Sequence, residues 1–113
     1  MAFAPQRLTA DIAVAGQLDP AAMAEAAAAG FRSVVNNRPD FEGGPTQPTS
    51  ASIEAAARAA GLAYAFLPVS PSVQTAQEIA RFAALLESMP RPILAFCRTG
   101  TRSGKLVRAA LAG

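Results

Sequence analysis

The chain has no histidine and a single cysteine among its 113 residues. Without histidine, imidazole acid–base chemistry is excluded and a conventional zinc site loses most of its ligands. One cysteine leaves no intrachain disulfide to form. Excess charge is scarce as well: 10 Lys and Arg against 8 Asp and Glu give a formal +2, scattered without a basic block. Nucleic-acid proteins gather positive charge on one face, so that class is set aside. No apolar run approaches the ~18 residues of a membrane span. The opening MAFAPQRLTADIAVAG also lacks the basic-then-apolar form of a secretory signal. The expectation is a cytoplasmic protein with no membrane or nucleic-acid partner, no cofactor and no metal.

Apolar side chains are abundant, at 51% of the chain. At this length that suffices for one domain, residues 1–113, around one core. Ile12 to Ala15, bounded by Asp11 and Gly16, reads as a strand weakened by its alanines. LDPAAMAEAAAAG then supplies Asp19 as N-cap, Pro20 at the first helical position and Gly30 as the stop. FRSVVNN reads as a second strand, and RPDFEGGPTQPTS is a long Pro- and Gly-rich loop. Thr49 or Ser50 caps a helix ending at Gly61, and LAYAFLPV is a third strand stopped at Pro68. Thr75 and Glu78 form a capping box for a helix through Ser88, with Ile79, Phe82, Ala83 and Leu86 on one face. RPILAF is the fourth strand, and SGKLVRAALAG closes the chain as a helix with Gly113 after it. Alternating strands and helices predict an α/β fold: a four-stranded, largely parallel sheet flanked by helices, with its site at the carboxyl ends of the strands.

The cysteine sits at such an end, in ILAFCRTGTRSGKLV, Ile93 to Val107. Arg98, Thr99, Gly100, Thr101 and Ser103 lie between strand and helix, where unpaired helix amides make an anion cradle. Arg102 adds a planar two-pronged donor for an oxyanion. The same positive field lowers the pKa of Cys97, producing a thiolate able to attack phosphorus or sulfur without histidine. Ser103 either tunes the thiolate or caps the closing helix.

Together NNRPDFEGGPTQP, GLAYAFLPV and AFCRTGTRSGKLV resemble the bacterial beta-lactamase-hydrolase-like protein, phosphatase-like domain family, over nearly the whole chain. The resemblance implies the dual-specificity tyrosine phosphatase fold. It also implies an enzyme labelled either phosphatase or sulfurtransferase, found alone or joined to a metallo-hydrolase or persulfide dioxygenase domain. The tyrosine phosphatase signature has a histidine before the cysteine and five residues between cysteine and arginine. Here Phe96 precedes Cys97, and only four residues separate Cys97 from Arg102. That shorter spacing is similar to the rhodanese sulfurtransferase loop, whose cradle suits a persulfide.

The leaving group gives a second argument. An alkoxide needs a proton from a positioned acid, whereas sulfite leaving thiosulfate does not. The stretch LPVSPSVQTAQ, where the resemblance implies the acid, contains no carboxylate. Asp40 is the first substitute and Glu42 the second, although a charged residue in a Pro- and Gly-rich loop is commonly solvated, and Asp40 also suits a turn. Arg38 either adds charge to the anion pocket or is surface. The leading expectation is a sulfurtransferase in which Cys97 takes sulfur from thiosulfate or a small persulfide. The alternatives are a phosphatase forming a cysteinyl phosphate with Asp40 as acid, and a non-catalytic anion- or partner-binding module.

Overall fold

The computed structural model describes residues 3–112. Its centre is a five-stranded sheet in the order β1-β2-β5-β3-β4. Strands β2 (Ile12–Ala15), β3 (Ser33–Asn36), β4 (Ala63–Phe66) and β5 (Ile93–Phe96) are parallel. The sequence predicts those four and misses the fifth, β1 (Gln6–Arg7), which pairs antiparallel with β2. Two exposed residues after a proline carry no alternation to read; tertiary pairing alone makes them a strand.

Helices α1 (Ala22–Ala28) and α2 (Ser50–Ala59) cover one face, and α3 (Ala76–Ser88) and α4 (Thr101–Ala112) the other. Every parallel strand splits its side chains by the two-residue period. Ala13, Val34, Leu94 and Phe96 pack with Met23, Phe31, Ile53 and Ala57. Ile12, Val14, Val35, Ile93 and Ala95 pack with Phe82, Leu86, Leu106 and Val107 on the opposite side.

Helix starts follow local chemistry with two corrections. Thr49 caps α2 through Ser52 N, and Thr75 with Glu78 makes the expected capping box on α3. Asp19 accepts from Ala22 N at 2.9 Å, so it caps a single turn ahead of α1 instead of a helix beginning at Pro20. Helix α4 begins at Thr101, inside the cysteine loop, which puts Ser103 in its first turn and not at its cap. The stop expected at Gly113 lies outside the described residues.

Candidate active site

The four parallel strands finish on one rim, where their hydrogen-bond ladder runs one step further. Cys97 N donates to Ala15 O (3.3 Å), Asn37 N to Phe96 O (2.8 Å), Val69 N to Asn37 O (3.1 Å) and Gln17 N to Arg98 O (3.1 Å). The residues after β2, β3, β4 and β5 are thereby locked to one another. These are the positions at which open α/β sheets place their ligands.

Cys97 is 1% exposed, at the floor of a hollow of about 160 Å³ lined by Pro71, Arg98, Thr99, Thr101, Arg102 and Lys105. Gly100 turns the loop with φ 90°, and its N–H donates to Cys97 Sγ at 3.1 Å. Burial opposes ionisation of this thiol. The N–H groups of Ser103, Thr99 and Gly100 and the Ser103 hydroxyl outweigh it, so the pKa falls below its ordinary value. The hydroxyl has one proton, and it goes to Asn37 Oδ1 at 2.8 Å. The standing donors to sulfur are therefore the loop amides, with Ser103 available on rotation.

Arg102 is 6% exposed. Its Nη1 and Nη2 donate to the two carboxylate oxygens of Glu42, each at 3.1 Å, and Nη1 also reaches Val69 O at 3.2 Å. Its buried Nε has no acceptor among the described residues. An unpaired buried donor costs about 1–3 kcal/mol, so Nε is the part of this guanidinium still open to an acceptor.

Glu42 also accepts from Arg38 Nε at 2.8 Å. Burial raises its pKa, but the bonds and charges of Arg102 and Arg38 prevail and hold it below the ordinary carboxylate value. Glu42 is thus an ionised clamp on Arg102, though the residue itself stays exposed as a loop position would be. Arg38 is pinned in turn: Nη1 donates to Gln17 Oε1 at 3.1 Å, and a Cβ at Gly43 would lie 2.7 Å from Nη2. Arg38, Glu42, Gly43, Pro71, Arg98 and Arg102 line a second, wider hollow of about 560 Å³.

Asp40 lines neither hollow. Its Oδ1 accepts from Ser50 N at 2.7 Å, at the start of α2. Arg98 is exposed and borders both spaces. Sequence reasoning missed Gln17, Gly43, Asn37, Val69 and Lys105. Asn37 follows a strand end directly, and Lys105 lies one helical turn beyond Arg102, so those two were open to positional argument. Among the described residues, no group of acidic, cysteine or histidine side chains is arranged to hold a metal, and no helix is long and apolar enough to cross a membrane.

A largely parallel sheet that presents a cysteine, a glycine turn and an arginine at a helix start is the arrangement of a phosphatase-like domain. Residues 5–113 match the family described as beta-lactamase hydrolase-like protein, phosphatase-like domain, and the chain belongs to it. It is 37% identical over 97 residues to the Beta-lactamase hydrolase-like protein of Agrobacterium fabrum, covering 86% of this chain and 22% of that protein. The Xylella fastidiosa protein of the same name is 38% identical over 92 residues, covering 81% and 21%. The chain therefore spans about a fifth of the length of these curated relatives. A crystal structure of a candidate phosphatase from Neisseria meningitidis superposes with TM-score 0.83 at 30% identity, covering 90% of this chain and 72% of that one. The Tk-PTP G95A structure superposes at 0.77 with 18% identity, covering 96% and 70%, a likeness of fold alone.

Proposed function

We propose that this domain is a sulfurtransferase. The Cys97 thiolate attacks the outer sulfur of thiosulfate or of a small persulfide; the sulfur–sulfur bond breaks, and sulfite or a thiolate leaves with the electron pair. The Cys97 persulfide then gives its terminal sulfur to a thiolate or cyanide, and Cys97 departs as thiolate. Loop amides and Arg102 Nε hold the anionic end of the donor. The observation that carries this reading is that no carboxylate among the described residues lines the small hollow over Cys97, while Glu42, in the adjoining wide hollow, is kept ionised by two arginines. Such a site offers no proton to an alkoxide, and sulfite needs none. The four-residue spacing from Cys97 to Arg102 supports the same chemistry.

Phosphate-ester hydrolysis is the second reading, favoured by the family and by the phosphatase-like structural neighbours. With ionised Glu42 the one carboxylate lining either hollow among the described residues, it would be confined to aryl phosphates and similar esters whose leaving group departs unprotonated. Intact mass after brief exposure to thiosulfate, and separately to an aryl phosphate, separates the two. One added sulfur on Cys97, removable by cyanide and absent in Cys97→Ser, is the expected result. A phosphoryl adduct without persulfide gives the site to the second reading. If neither forms, the domain binds anions without turnover. Because the relatives are several times longer, we take the working partner to be a metallo-hydrolase or persulfide dioxygenase domain that consumes the persulfide product.

A further inference from the structure

The wide hollow beside Cys97 is larger than the anionic end of any donor requires, and its charges do not balance. Arg38, Arg98 and Arg102 stand against Glu42 alone, a surplus of two cations. Lys105 adds another in the lining of the small hollow that holds Cys97. Two of these cations are committed: Arg102 and Arg38 share the Glu42 carboxylate. Arg98 makes no side-chain hydrogen bond and no ion pair among the described residues. It is exposed at the junction of the two spaces, while its carbonyl is fixed by Gln17 N at 3.1 Å. The backbone at that junction is held, and the guanidinium is left free to meet whatever extends from the small hollow into the wide one.

We propose that Arg98 reads a second acidic group on the substrate. The preferred substrate is then a small organic dianion: one anionic end seated over Cys97 and Arg102, and a carboxylate or similar group lying in the wide hollow against Arg98. Inorganic thiosulfate fills only the first position. This rests on the reading that the small hollow takes an anionic end, and it holds for sulfur or phosphorus at that end.

Binding to the full chain carrying Cys97→Ser tests it without depending on turnover. The probes are benzenesulfonate, which offers the anionic end alone, and 3-sulfobenzoate, which adds a carboxylate; affinities come from titration calorimetry at low salt. An exposed guanidinium–carboxylate pair predicts that 3-sulfobenzoate binds roughly two- to fivefold tighter. Arg98→Ala in the same background brings the ratio to about one, Arg98→Lys restores part of it, and added salt lowers it. Equal affinities, or a preference that survives Arg98→Ala, overturns the proposal; so does failure of both probes to bind at millimolar concentration. The persulfide assay runs separately on the unsubstituted chain. Sulfur loading without a dianion preference defeats this inference and spares the function, whereas a dianion preference without sulfur loading does the reverse.

Discussion

At the scale of single residues, the site is a contest between burial and hydrogen bonding. Cys97 is buried, yet hydrogen bonds from the loop amides outweigh that burial and lower its pKa. Alkylation by iodoacetamide, followed against pH, is expected to reach half its plateau rate below the ~8.5 of a free thiol. Ser103→Ala moves that midpoint upward where the hydroxyl turns from Asn37 to the ionised sulfur; an unmoved midpoint would mean that the amides act alone. Glu42→Gln removes a charge from the clamp on a buried guanidinium. Arg102 is buried and would lose a charge partner that sits at the surface, so kcat/KM in the sulfur assay should fall about 10-fold. Asp40→Asn keeps an oxygen for Ser50 N and removes any proton to donate. Sulfur transfer and phosphate release should therefore both stay within about twofold, while Asp40→Ala costs about 1 kcal/mol of stability. A tenfold loss of phosphate release in Asp40→Asn would restore it as an acid. The Cys97–Arg102 loop reads as one unit because its spacing is local; Glu42 reads only as a substitute acid, and its pairing with Arg102 is hidden. That partner lies 60 residues away, and Phe41, at φ 64°, turns the loop toward it.

At the scale of elements, helices with local signals were readable and junctions set by tertiary contact were not. The Thr75–Glu78 box is contained within four residues of sequence and forms as expected. Thr75→Ala should cost about 1 kcal/mol in chemical denaturation, through Glu78 N losing its acceptor. A midpoint equal to that of the parent chain would show that packing of Phe82 and Leu86, not the cap, holds the helix start. Helix α4 departs from its expected start because the loop, the sulfur and the helix are one unit. Gly100 N donates to Sγ and Gly104 N to Gly100 O, so the turn that seats the thiolate is also the helix's first turn. Composition marks Ser103 as a cap, but its hydroxyl is drawn to Asn37 across 66 residues, a partner no local pattern reveals.

For the molecule as a whole, the site's charges belong to the folding equilibrium. Glu42 has a lowered pKa in the folded chain, so unfolding raises its affinity for protons. Its contribution is complete above its unfolded value of about 4.3 and is lost as pH falls through the lower folded value. Cys97 is also lowered, which places a second window beneath its unfolded value of about 8.5, again with stability lost on acidification. Both slopes have the same sign. Thermal melts at a series of pH values separate them. The unsubstituted chain should lose stability in two steps as pH falls from about 9 to 3. Cys97→Ser removes the upper step and Glu42→Gln the lower one. If Glu42→Gln follows the parent curve down to the acid end, the Arg38–Glu42–Arg102 cluster is not what couples this fold to protons. The linkage would then reside in carboxylates elsewhere, and the clamp would act on catalysis alone.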